Sequence, residues 1–196
     1  MHQAKPQQKL RTAALLFALT TLAACANRPP DNPADLCSIF QQKRGWEKHA
    51  RRAEQRWGSS VPTMMAIMKQ ESAFIDNARP PRMRFLGIPL WWRKSSSYGY
   101  SQAKDATWRW YERSVGRNAD RDDFDDAIDF IGWYNHQSHR TNGIAKHDTY
   151  SLYLAYHEGH GGYRKKSYRN KQWLLKVAAR VRDQAARYQK QYARCR

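Results

Sequence analysis

Met64, Ile67 and Met68 recur at i, i+3 and i+4, and the next position on that helical face, i+7, is a carboxylate, Glu71. A glutamate held against methionine and isoleucine loses hydration. That disfavours its charged form and raises its pKa toward the range in which it donates a proton near neutral pH. The chemistry this suggests is general acid catalysis. A glutamate turned to solvent near a helix end satisfies the same position, and the stripe by itself leaves both readings open.

Two further blocks carry groups suited to a saccharide. Ser97-Tyr98-Gly99-Tyr100-Ser101-Gln102 sets a glycine and an amide among aromatic residues, and Tyr156-His157-Glu158-Gly159-His160-Gly161-Gly162-Tyr163 repeats the mixture further on. Aromatic faces stack on sugar rings, amides and hydroxyls bond hydroxyl and acetamido groups, and glycine lets the chain approach closely. Any one of these tyrosines also serves as a core residue with a bonded hydroxyl, and any one glycine as a helix stop.

The elements that must position these groups read as helices. Pro62 suits the first turn of a helix that begins after Ser59 and Ser60 and runs through Glu71. Phe40, Trp46 and Trp57 lie on an earlier helical stretch interrupted near Gly45 and closed by Gly58. Trp108, Tyr111 and Val115 recur at helical spacing before Gly116. Asp122 and Asp123 open a helix with the stripe Phe124, Ile128, Ile131 and Tyr134. Asp148 caps another that carries Leu152, Ala155 and Tyr156 and stops at Gly159. The last starts near Asn170, with Leu174, Val177, Val181, Tyr188 and Tyr192 inward. Residues 78–97, rich in proline, arginine and aromatics, read as a long irregular excursion, with a lid over a saccharide, a membrane-facing patch and plain surface packing all open. No stretch alternates with period two, so the expected class is all-α.

The chain ends restrict the compartment. Residues 1–24 carry Lys5, Lys9 and Arg11 without an acid, then the apolar run 13–19, then Leu22-Ala23-Ala24-Cys25. This reads as a lipoprotein export signal, cleaved before Cys25, whose sulfur takes the lipid. Ala26 after the cysteine favours the outer membrane, facing the periplasm. Residues 25–35, with Pro29, Pro30 and Pro33, read as a tether, and 36–196 as one catalytic domain. Cys37 and Cys195 remain, and an oxidising compartment suits a disulfide between them, two free thiols being the alternative. The formal charge is +18, or +15 without Lys5, Lys9 and Arg11. Nucleic acid is the usual partner of such a charge, but export excludes it and leaves lipid phosphates and peptidoglycan carboxylates.

The three blocks together resemble one family. Glu71-Ser72-Ala73-Phe74 is similar to the ES-x-F segment of the soluble-lytic-transglycosylase (SLT, goose-type lysozyme-like) family, Gly99-Tyr100-Ser101-Gln102 to its G-L-M-Q, and Ala155-Tyr156-His157-Glu158-Gly159 to its A-Y-N-A-G. Thr107 follows the glutamine as the family's threonine does. The gap from Glu71 to Gly99 exceeds the family's spacing, the excess lying in 78–97, and the chain reads as a divergent member. The resemblance implies a lysozyme-like fold, peptidoglycan glycan strands as partner, no cofactor and no metal. It also implies non-hydrolytic cleavage of the β-1,4 bond between N-acetylmuramic acid and N-acetylglucosamine, giving a 1,6-anhydro end. Glu71 is the implied acid and then base, with Gln102 and Tyr156 orienting the saccharide and Ser72 supporting the glutamate's end of the helix; Tyr98 and Tyr163, from the aromatic blocks, complete the candidate saccharide-binding set.

Other readings stay in view. A hydrolytic muramidase needs a second carboxylate to position water, and Glu158 is the one available. A wall-binding lipoprotein without catalysis keeps the aromatics and charge. A zinc site from His157, Glu158, His160, His136 and His139 is disfavoured, because His-Glu-Gly-His lacks the i, i+4 spacing that sets two imidazoles on one helix face.

Overall fold

The computed structural model describes residues 28–85, 88–93 and 95–195. The leader and Cys25 lie outside them. Seven helices and one pair of strands make up the described chain, so the all-α class holds with a single β insertion.

Local chemistry sets most helix starts. Helix α1, Leu36–Gln42, is capped by Asp35, whose carboxylate accepts from the Ser38 N–H at 2.8 Å. Gly45, at φ 94°, breaks the stretch before α2, Trp46–Trp57. Ser60 caps α3, Val61–Ser72, with Pro62 in its first turn. α4 is Asp105–Val115. Asp123 caps α5, Phe124–Asn142, and Asp148 caps α6, Thr149–Arg164. α7, Gln172–Tyr192, closes the chain. No described helix is long and apolar enough to cross a membrane.

α3 is the central helix. Every residue from Val61 to Met68 is buried, because α7, α5 and α2 cover it on different sides. The apolar stripe through Met64, Ile67 and Met68 is therefore part of a helix apolar all round. α5 approaches it closely at Gly132, where a Cβ atom would meet Trp57 Cδ1 at 2.9 Å and Met64 Sδ at 3.0 Å. Nearby, the buried Asp129 accepts from Trp57 Nε1 and the Tyr111 hydroxyl, both at 2.8 Å, and from Arg56 at 3.2 Å. These bonds join α2, α4 and α5 through a fully satisfied carboxylate.

Two sequence expectations change here. Two strands of the excursion pair antiparallel, β1 Arg82–Phe85 with β2 Ile88–Arg93, so that Arg82 pairs with Arg93 and Phe85 with Ile88. A register irregularity between Arg82 and Arg84, and Pro89 within β2, erase the regular alternation that would have announced the strands. The second change concerns the tether. Its described part, from Arg28, is docked on the domain: Tyr188 donates to the Pro33 carbonyl, Gln184 donates to that of Ala34 at 3.3 Å, and the Leu36 N–H donates to Gln191 at 3.0 Å. Cys37 and Cys195 are joined as a disulfide with Cα atoms 5.8 Å apart, fixing α1 to the end of α7.

Candidate active site

Three chain segments meet around a cleft of about 400 Å³. The first is the end of α3. Glu71 sits in its last turn, and the chain then leaves through Ala73 and Phe74 in left-handed conformations, φ 51° and 64°. Such backbone is costly for a buried aromatic residue and persists only where packing over-determines it. Phe74 is fully buried, with the Trp46 ring 5.9 Å away. The anchored exit leaves Glu71 on the cleft floor.

Glu71 is half-buried and lines the cleft. Burial pushes its pKa up from the ordinary carboxylate value to about 7, against the opposing effect of a hydrogen bond from Tyr153. The C-terminal end of a helix, with its negative pole, also favours a neutral carboxyl. No ion pair joins Glu71 to a described residue. This is a group able to hold a proton at neutral pH and release it.

The second segment is the turn before α4. Gly99 takes φ 75°, and a Cβ there would lie 2.1 Å from the Arg121 carbonyl oxygen, so only glycine fits. Gln102 follows at φ 49°. Its amide nitrogen donates to the carbonyls of Ala78 and Gly99, both at 2.9 Å, which fixes the amide's orientation and leaves its oxygen as the end that can accept from a ligand. Gln102 and Thr107 line the cleft.

The third segment is α6. Tyr156 lines the cleft, donates to the Ser101 carbonyl at 2.7 Å, and packs edge-on to Tyr134 at 5.1 Å. Burial and nearby Glu71 push its hydroxyl well above the ordinary tyrosine value. It is neutral, and a donor. Tyr153, three residues earlier on the same helical face, bonds Glu71 directly; the i, i+3 spacing from Tyr156 was the signal that could have marked it, and the sequence reading missed it. Tyr134, read above only as a core stripe residue, also lines the cleft.

Glu158 occupies the same cleft in another state. Its side chain is 5% exposed, covered by its own partners: Lys171 Nζ lies 2.7 and 2.8 Å from its two oxygens, Ser167 donates to it, and His157 Nδ1 stands 3.1 Å away. Burial alone would raise its pKa, but these partners outweigh burial and hold it at about 2. The chain turns here at Gly159, φ 75° and ψ 159°, a conformation open essentially to glycine alone, and α6 kinks rather than stopping as expected.

Three residues of the expected saccharide-binding set lie elsewhere. Tyr98 does not line the cleft; its hydroxyl donates to Asp122 at 2.8 Å, and the guanidiniums of Arg79 and Arg121 lie 4.2 and 5.4 Å from its ring centroid. Tyr163 stacks on Tyr168 at 5.3 Å and packs against the small cluster of Ile144, Leu152 and Ala155, beyond the kink. Ser72 is buried, and its hydroxyl donates to the Met68 carbonyl at 3.3 Å, which keeps it on the helix. Among the described residues no three His, Cys, Asp or Glu side chains gather as a metal site requires. A cavity of similar size, about 430 Å³, lies at the starts of α3 and α6, and its lining holds no carboxylate.

The site is thus one raised carboxyl, Glu71, in an aromatic-walled cleft of a helical domain. The Transglycosylase SLT domain family matches the chain over residues 13–195, nearly its whole length, and the chain belongs to that family. The domain is thereby an all-α, lysozyme-like SLT domain, and membership indicates lytic transglycosylase activity with peptidoglycan as substrate. A comparison with curated proteins found no match.

Proposed function

We propose that this protein cleaves the β-1,4 bond between N-acetylmuramic acid and N-acetylglucosamine without water, with Glu71 as its sole acid and base. The observation that carries the reading is the pKa of Glu71 near 7 on the floor of the cleft. A carboxyl so poised is protonated in a large fraction of molecules at neutral pH, and its conjugate base is still basic enough to take a proton back. In the first step Glu71 protonates the leaving glycosidic oxygen as the C1–O bond breaks. The acetamido oxygen of the muramic residue stabilises the positive charge at C1, so no second carboxylate is needed. In the second step the Glu71 carboxylate takes the proton of the muramic C6 hydroxyl, whose oxygen bonds to C1 and closes the 1,6-anhydro ring. Gln102, through its amide oxygen, and Tyr156, through its ring, are the groups we assign to orienting the saccharide.

The state of Glu158 supports this reading over a hydrolase. A base that must deprotonate water works best with a pKa near the working pH, and a carboxylate held at about 2 by Lys171 is too weak. Residues 1–24 would be removed as an export signal and Cys25 acylated, anchoring the protein to the outer membrane with residues 36–196 as the catalytic domain in the periplasm. Incorporation of labelled palmitate that disappears in Cys25→Ser tests the anchor.

Digestion of purified sacculi, with the released muropeptides weighed by mass spectrometry, tests the reaction. The expected products end in 1,6-anhydro-muramic acid. Reducing ends would make the protein a hydrolase, and intact sacculi that retain the protein would make it a binding module.

A further inference from the structure

Trp173 is the second residue of α7 and is 56% exposed. Leu174, which follows it, is fully buried, so the turn that packs into the core leaves the indole outside. The indole meets His157 edge-on, with ring centroids 5.2 Å apart and planes at 78°. His157 lines the cleft. The contact is set by the kink of α6 at Gly159 and by Lys171, whose Nζ lies 2.7 and 2.8 Å from the two oxygens of Glu158, the residue after His157. The start of α7 is thereby fixed to the cleft wall, and Trp173 stands just outside the lining.

We propose that Trp173 and His157 form a further saccharide subsite, in which one sugar ring of a glycan strand stacks on the indole just beyond the cleft. This rests on the reading that glycan strands occupy that cleft. A cleft of about 400 Å³ has the size of a small-molecule site, so a polymeric strand runs out of it. At Trp173 the exit carries the two kinds of group a sugar needs, an aromatic face for its C–H surface and a polar atom for its hydroxyls. The polar atom is His157 Nε2. Glu158, a carboxylate with its pKa held at about 2, only accepts, so His157 Nδ1, 3.1 Å away, carries the proton and donates to it. Nε2 is the ring atom left to a ligand, accepting when the imidazole is neutral and donating when it is charged. A sugar hydroxyl suits both states, being donor and acceptor at once.

The surroundings select a sugar over an apolar partner. A protein or lipid surface is met by a contiguous apolar patch, whereas this indole is set among Lys171, Gln172 and His157. The strand is then held at two places, with the reacting sugars beside Glu71, Gln102 and Tyr156 and one more on Trp173. The subsite contributes to affinity and leaves proton transfer to Glu71, so its effect appears only with strands long enough to reach it.

Isothermal titration tests the subsite. The reference protein is the full chain carrying Glu71→Gln, and the ligands are peptidoglycan glycan strands freed of their peptides and the disaccharide unit of the same polymer. The reference should bind long strands more tightly than the disaccharide. Adding Trp173→Ala should shrink that advantage by about tenfold, and Trp173→Phe, which keeps a ring face, should restore most of it. Melting equal to that of the reference shows that the variants are folded; if the alanine variant melts early, Trp173→Leu, which keeps apolar bulk without a ring, decides and should bind long strands as weakly. A folded alanine or leucine variant that keeps the full advantage of long strands overturns the proposal. So does a reference that binds strands and disaccharide alike, a result that leaves the cleft reading standing. Reducing ends from the unsubstituted protein, with the Trp173 effect intact, overturn the reaction proposed above and leave the subsite standing.

Discussion

Glu71 and Glu158 line one cleft, yet burial leaves the first as a carboxyl with a pKa near 7 and the second, with Lys171 against both oxygens, as a carboxylate near 2. The same side chain is thus suited to proton transfer at the end of α3 and to holding a wall in place at the kink of α6. What separates them is whether the fold supplies a cation along with the desolvation. At Glu71 the partner among the described residues is the Tyr153 hydroxyl. At Glu158 the fold supplies Lys171, Ser167 and His157, which bind the bend after Gly159 to the start of α7.

The largest test of that division is Glu71→Gln. The amide keeps the shape and cannot donate the proton, so release of anhydro-muropeptides should fall about a thousandfold or more, read by mass spectrometry of digested sacculi. Retained activity would assign the chemistry elsewhere in the cleft and erase the contrast. The same variant should also change stability in a pH-dependent way. A carboxyl whose folded pKa is raised favours the folded state fully below its unfolded value, near 4.5, and loses that contribution as pH rises through about 7. Glu71→Gln should therefore gain on the parent above pH 7, by roughly 2 kcal/mol after allowing for solvent in the cleft, and show little gain below pH 4.5. Melts across that range measure it.

Glu158→Gln addresses the other half. Its expected cost in activity is about tenfold or less, through a loosened cleft wall, with the products still 1,6-anhydro ends. Reducing ends among the parent's products that disappear in Glu158→Gln, or an effect as large as that of Glu71→Gln, would make the two carboxylates partners. The acid limb of stability carries a second signature. Glu158, with a depressed pKa, stabilises the fold above its unfolded value and loses that contribution as pH falls toward about 2, so the parent should weaken over that interval more than Lys171→Met does.

Much of this site is local enough to read from the chain. Asp148 caps the helix it was expected to cap, and Ser60 and Asp123, each one of a pair read at a helix start, are the residues that cap the other two, because a cap bonds within three residues. Glu71 was legible because an apolar helix announces itself over three turns. Contacts formed across the fold were not. Lys171 is thirteen residues from Glu158 and meets it only because α6 bends at Gly159. Residues 28–35 have the composition of a linker, and Tyr188, in the last helix, holds them down. Motif order gave the neighbourhood of Tyr98 and Tyr163 without giving the direction in which either ring faces.

Tyr153→Phe gives a finer measure of what isolates Glu71. The hydroxyl's hydrogen bond lowers the pKa of Glu71, so its removal should raise that pKa further. Cleavage requires the protonated acid, and the alkaline fall in kcat/KM, centred near 7 in the parent, should move to higher pH by up to about one unit. A limb that moves to lower pH would mean that Tyr153 acts as a screen against solvent more than as a donor, which would change the account of why Glu71 titrates where it does.

The smallest expected effect falls outside the cleft. Tyr98→Phe removes the bond to Asp122 and leaves the ring's contacts with the guanidiniums of Arg79 and Arg121. The cost should be about 1 kcal/mol of stability or less, because the bond lies at the surface, with KM on sacculi fragments unchanged. Tyr156→Phe makes the same chemical change inside the cleft, where it also releases the Ser101 carbonyl, and there KM should rise. Two tyrosines from neighbouring motifs, altered identically, then report separately on the rim and the floor. An equal rise in KM for both would show that the glycan extends past the described cleft onto the turn that carries Tyr98, and the division between the two regions would have to be redrawn there.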